Sequence, residues 1–292
     1  MKICVCTLAA VLCGAALAEV PFGIGIAGFT FRKKGVDETI AAMKALDMHA
    51  LCVKSRHLKL DCTQEEADAF KAKLAAADIV PVGVGPIYAD SEEEARKGFE
   101  QAKKLGVRVV VGVPLDHETI NGKKTAVESD RMLDVIDRLV KEYDMTYAIH
   151  NHGPDMPRLY PTAEAALKRI GDRDTRIGVC LDIGHEYRFG IDPAVFIRAH
   201  GDRIYDVHIK NIKGAERDKK GMLPNKAVPA PRGVLDIPAI FTTLAEVGYS
   251  GWCNIEYERD FEDNLPGLLE SVGYYRGVAD AIRTREKASV LP

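Results

Sequence analysis

The sequence predicts a single (β/α)8 barrel of the α/β class, and three observations carry that reading. Behind an N-terminal leader, short β-branched runs alternate with helix-like segments through eight strand–helix pairs. Glycine marks the returns at Gly106, Gly171, Gly201 and Gly248. The later runs close on polar clusters: Ile149-His150-Asn151-His152, Cys180 to His185, Asp206 to Lys210, and Asn254 to Glu258. Parallel strands gather such ends at one rim, however far apart they lie in sequence.

Phe22 to Gly28 reads as the first strand and Val36 to Asp47 as its helix. His49 to Lys54 is the second strand, followed by the Ala-rich helix Gln64 to Ala77. Ile79 to Gly85 is the third, and its helix, Ser91 to Lys104, opens with Ser91 and Glu94 in capping-box spacing. Val107 to Val113 is nearly all valine, as suits a strand buried on both faces, and Ser129 to Tyr143 is its helix. Met145 to Ile149 precedes the helix Thr162 to Ile170. Ile177 to Leu181 precedes Pro193 to His200, with Pro at the helix start. Arg203 to Ile209 leads to Ile237 to Val247, and Trp252 to Tyr257 to the closing helix Leu265 to Thr284. An open doubly wound sheet is disfavoured. The Gly23, Gly25 and Gly28 spacing is wrong for a phosphate loop, and these glycines lie inside the strand, where they let backbone pack closely. The 25 residues from Asn211 to Leu235 break the rhythm and belong over the strand C-terminal rim.

Of the 292 residues, 47% are apolar, enough for a sizeable core. The net charge of -3 gives no electrostatic ground for a nucleic-acid or anionic-membrane partner. Met1-Lys2 precedes an apolar stretch from Ile3 to Leu17, and Ala16-Leu17-Ala18 supplies a small-x-small cleavage site. Residues 1–18 therefore read as a secretory signal, too short for a stable membrane span, and 19–292 as the barrel. Leu12 ahead of Cys13 is a poor context for lipid attachment. The expected location is periplasmic or secreted. Cys52, Cys62, Cys180 and Cys253 remain after cleavage. A bend would let Cys52 and Cys62 pair; otherwise these are core residues.

Strand alternation decides which side chains share a face. His150 and His152 share one, as do Cys180 and Asp182, then Asp206, His208 and Lys210, then Trp252, Asn254 and Glu256. His150, Asp182, His208 and Glu256 thus converge from four successive strands. Mixed nitrogen and oxygen donors suit Mn, Fe, Co, Zn or Mg rather than a closed thiolate site. Each cluster alone has an ordinary structural explanation; four facing the same way make a metal-ligand set. Lys54 ends the second strand, and His57, close behind, is a substrate-binding candidate. A lysine there needs a partner or a task, such as stabilising an enolate or orienting a sugar hydroxyl.

On Leu181-Asp182-Ile183-Gly184-His185, Asp206 to Asn211, Pro231 to Asp236 and Asn254-Ile255-Glu256, the chain resembles the xylose-isomerase-like TIM barrels, the sugar phosphate isomerases and epimerases. The resemblance spans nearly the whole chain after the leader. It implies one divalent metal on Asp182, His208 and Glu256, with substrate contact by His185, and it brings Arg232 and Asn254 in as substrate-binding candidates. It also exposes a departure. Epimerases of the family end the fifth strand with a metal-binding glutamate that pairs with the eighth-strand glutamate in acid/base work. Here His150-Asn151-His152 stands there. Either His150 ligates the metal, with His152 or Lys210 as base beside Glu256, or Asp155 supplies the missing carboxylate.

The chemistry implied is proton abstraction next to a carbonyl through a metal-stabilised enediolate. A metal-dependent sugar isomerase or epimerase is the first expectation, with a small carbohydrate as substrate. A lyase or hydratase acting by β-elimination on keto-sugars or keto-glycosides is the alternative. A non-catalytic carbohydrate-binding barrel is a second alternative. Secretion argues against a phosphorylated substrate and against DNA repair. A metal-free glycosidase using Glu256 with Glu258 or Asp182 would leave the histidines unexplained.

Overall fold

The computed structural model describes residues 20–214 and 216–289; the leader expected over 1–18 lies outside them. The chain begins β1 (Gly23–Ala27), α1 (Val36–Ala45), β2 (Ala50–Val53), α2 (Gln64–Ala75), β3 (Val80–Ala89) and α3 (Glu92–Leu105). It continues through β4 (Val109–Ile120), β5 (Lys123–Glu128), α4 (Asp130–Tyr143), β6 (Thr146–His150) and α5 (Ala163–Ile170). Next come β7 (Ile177–Asp182), α6 (Ile183–Arg188), α7 (Pro193–His200), β8 (Ile204–Ile209), β9 (Asn211–Ile212) and β10 (Ala227–Val228). The chain closes with α8 (Ile237–Glu246), β11 (Trp252–Ile255) and α9 (Leu265–Ser289).

Strands β1, β2, β3, β4, β6, β7, β8 and β11 pair in parallel in that order, and β11 returns to β1. The sheet is therefore a closed (β/α)8 barrel without free barrel edges. Its outer face packs against the helices in one large apolar core. Its interior holds a separate plug of Cys52, Val111, Ala148 and Cys180. Close backbone approach inside the barrel explains the first-strand glycines: a Cβ on Gly25 would stand 2.4 Å from Asn254 Oδ1.

Helix starts follow the expected chemistry. Thr162 caps α5 by accepting from the Ala165 amide, and Asp192 caps α7 ahead of Pro193. At α3, Ser91 accepts from the Glu94 amide, but the Glu94 carboxylate reaches back to the amide of Asp90 rather than that of Ser91.

Four features depart from the sequence reading or were absent from it. The fourth strand runs past Val113 into an antiparallel hairpin with β5, turning at Asn121 (φ 51°) and Gly122 (φ 73°). Both turn residues need positive φ, which Asn-Gly supplies, so the signal was present in the sequence. A short extra helix, α6, follows β7 directly. The long loop after β8 is organised by the β9–β10 ribbon and by Asn211, whose side chain bonds Ala230, Ile212 and Leu235 backbone. Cys52 and Cys62 do not pair; both are free and buried, as are Cys180 and Cys253.

Candidate active site

Four successive barrel strands deliver the central side chains. His150 ends β6, Asp182 ends β7, His208 lies near the end of β8, and Glu256 follows β11. Alternation along each strand turns all four inward, and all four are buried. One donor atom from each falls within a sphere where no two are more than 4.8 Å apart. His150 Nε2 lies 3.1 Å from His208 Nδ1, 3.5 Å from Asp182 Oδ2 and 3.8 Å from Glu256 Oε2. His208 Nδ1 lies 3.4 Å from Glu256 Oε1.

These separations fit a divalent cation. Donors about 2.1 Å from a tetrahedral centre stand about 3.4 Å from one another, close to the edges seen here. Two imidazoles and two carboxylates carry the charge to neutralise one divalent ion. The site also favours positive charge in its absence. Burial alone would strip the proton from His150, but Asp182 and Glu256 outweigh it and raise the pKa to about 9. Asp206 stands behind His208, with Oδ2 3.7 Å from Nε2, and accepts a hydrogen bond from Asn254. A carboxylate in that position orients a metal-ligating imidazole. Asn151 fixes the backbone of Asp182, accepting from its amide at 2.7 Å and donating to its carbonyl and to Glu186.

Lys210 adds a cation to the cluster. Its Nζ lies 2.8 Å from Asp182 Oδ2 and 2.7 Å from both Glu256 Oε2 and Glu258 Oε2. Burial works against its charge, yet the three carboxylates hold its pKa well above the ordinary range. It therefore keeps its proton, and the base role expected for it is not available in this arrangement.

Above the cluster opens a cavity of about 210 Å³, walled by Phe29, Lys54, Tyr88, His150, His152, Asp155, His185, Asn225, Glu256 and Glu258 among others. That volume lies below the range of drug-sized pockets and suits a small ligand. Lys54 donates to the Pro86 carbonyl, and burial lowers its pKa. His152 is engaged at both nitrogens, Nδ1 with the Leu159 carbonyl and Nε2 with Tyr88 Oη at 2.7 Å. Burial holds its pKa down to about 3, so the ring is neutral and Tyr88 donates to it. The backbone amide of His185 donates to Asp182 Oδ1, and its ring faces Arg188.

Three expected contact residues stand elsewhere. His57 is buried against Thr39, with burial lowering its pKa to about 4, and does not line the cavity. Asn254 lies inside the barrel on Asp206, beneath the metal-type group. Arg232 is at the surface, paired with Glu270. Asp155 sits at the cavity wall, bound to Arg188, outside the convergent group that includes His150.

Tyr88, Glu258 and Asn225 are cavity residues the sequence reading did not single out for the metal or substrate site. Glu258 had a signal, since it lies two residues beyond Glu256 on the same alternating face. Tyr88 and Asn225 had none, because one follows an irregular stretch of β3 and the other lies in the long loop.

A family model described as xylose isomerase-like TIM barrel matches residues 39–278. The rhizopine catabolism protein MocC of Rhizobium meliloti is 25% identical, with 88% of this chain and 82% of that protein aligned. An inosose dehydratase of Geobacillus thermodenitrificans is also 25% identical, over 81% and 79%. Further inosose dehydratases align over 45% to 65% of their own length. Among solved structures, the IOLI protein with a bound zinc atom superposes with a TM-score of 0.65 at 16% identity, over 90% of this chain and 99% of that one. That last likeness is one of fold.

Proposed function

Because the chain belongs to the xylose isomerase-like TIM barrel family, we propose that it is a divalent-metal-dependent lyase acting on a small unphosphorylated keto-polyol or keto-sugar. The reaction removes a proton next to the carbonyl and expels a β-hydroxyl as water. The dehydratase names of several relatives support this reading. The observation that carries it over epimerisation is His150, which stands at the strand end where a second opposed carboxylate would be needed.

His150, Asp182, His208 and Glu256 would hold the metal, and zinc in the IOLI structure makes zinc the first ion to try. A bound divalent ion would polarise the substrate carbonyl as a Lewis acid. Lys54 Nζ lines the cavity, and burial lowers its pKa, which eases release of its own proton; the amine so formed would take the proton from carbon. The carbon–carbon double bond forms as the β-carbon–oxygen bond breaks. Lys54 then returns the proton to the departing hydroxide, so one group serves both steps. Tyr88 Oη, held by His152, orients a substrate hydroxyl.

The test is an NMR and absorbance assay in deuterated water with inososes and keto-sugars, on chelated and metal-restored protein. The expected result is metal-dependent loss of water to a conjugated or dicarbonyl product, abolished in Lys54→Met. A second reading, epimerisation between Glu256 and Glu258, rests on both lining the cavity. It predicts deuterium at the α-carbon of a recovered stereoisomer with no water lost. We also propose export, on the apolar leader and its Ala16-Leu17-Ala18 site; N-terminal sequencing should then read from Glu19.

A further inference from the structure

Resting on the metal reading above, we propose that Lys210 is a displaceable counter-ion of the metal site and that Glu258 is the partner that keeps it when the metal binds. Four charged groups set the problem. Asp182, Glu256 and Glu258 bring three negative charges and Lys210 one positive, and metal-bound imidazoles are neutral, so before the ion's own charge is counted the cluster stands at -2. A divalent ion brings it to zero, and in that state Glu258 balances Lys210 while Asp182 and Glu256 balance the metal.

The geometry separates the three acceptors in the same way. An ammonium has three donors, and Lys210 meets one carboxylate oxygen from each of three residues. Two of those oxygens, Asp182 Oδ2 and Glu256 Oε2, are the ones that also face His150 Nε2. A cation among the four donors must compete with the ammonium for them. Glu258 is the one partner outside the convergent group, and it lies on the cavity wall. The stem of Lys210 is buried and packs closely on Gly184, where a Cβ would come within 2.4 Å of its Cγ. The exchange therefore asks for movement of the ammonium end between neighbouring oxygens. Without Glu258, yielding the two ligands would strand a buried charge, which is costly.

The test is a double-mutant cycle, read as zinc affinity by calorimetry on chelator-stripped protein. Lys210→Met should tighten zinc binding by about tenfold or more, because the competing cation is gone. Glu258→Gln should weaken it by about tenfold or more, because the ammonium stays on the ligands. In the Lys210→Met background, Glu258→Gln should change affinity by less than about threefold. Additive effects would mean that the two residues act only through their separate fields, and would overturn the proposal. Should a variant fail to fold, the zinc-loaded wild-type crystal structure decides. Nζ on Glu258 and out of reach of Asp182 and Glu256 supports the exchange; Nζ unmoved refutes it. A wild type that takes up no zinc, manganese or cobalt removes the metal reading and this proposal together. One bound ion with an additive cycle removes this proposal alone.

Discussion

Asn151 holds the metal-type cluster in register, and replacing it with alanine tests that claim quantitatively. Its side chain is fully buried and makes three hydrogen bonds, two to the Asp182 backbone and one to the Glu186 carboxylate. Asn151→Ala leaves the buried Asp182 amide without its acceptor and removes one donor from a buried acid. At about 1–1.5 kcal/mol for each of the three bonds, the cost is roughly 3–4 kcal/mol. For a chain of this size that lowers Tm by on the order of 10 °C. Urea denaturation should show a lower midpoint with an unchanged slope. Because Asp182 loses its anchor, zinc affinity should also fall by about 10–100-fold. A variant within about 1 kcal/mol of wild type and with the same zinc affinity would show that Asp182 is held by something else.

Two further predictions concern residues on either side of the cavity wall. Burial keeps His57 neutral in the fold down to about pH 4, whereas the ordinary histidine value is 6.5. The unfolded chain therefore takes the proton first. Stability present above pH 6.5 is lost as pH falls toward 4, by about 3 kcal/mol for this one group. Comparing urea denaturation at pH 7.5 and 4.5, His57→Gln should lose less on acidification than wild type by about that amount; equal losses contradict the burial argument. Tyr88→Phe removes the hydroxyl that bridges His152 and the cavity. Steady-state kinetics should show kcat/KM lower by roughly 5–10-fold with stability nearly unchanged, because one substrate hydrogen bond is lost from a partly exposed side chain. Unchanged kinetics would remove Tyr88 from the substrate site.

The barrel was legible because its signal is repeated and local. Buried parallel strands read as apolar runs, and caps such as Thr162 and Asp192 announce the helices. The metal-type group was legible for the same reason: strand period fixes the face, and His150, Asp182, His208 and Glu256 sit where apolar runs end. What alternation cannot give is depth along the barrel axis. Asn254 shares a face with Glu256 but sits a layer lower, on Asp206, and Arg232 is placed by loop packing rather than by any period. The charge state of Lys210 was also out of reach, since it depends on three carboxylates whose distances only the closed barrel sets. The hairpin of β4 and β5 is different, because Asn121-Gly122 between alternating segments is a sufficient signal.

The most direct test of the account is the metal content of purified wild-type protein beside Asp182→Ala and His208→Ala, measured after incubation with zinc, manganese and cobalt. The account predicts about one divalent ion per chain in the wild type and almost none in either variant, with both variants folded. A wild type that stays free of all three metals, or variants that bind as well as wild type, would contradict it.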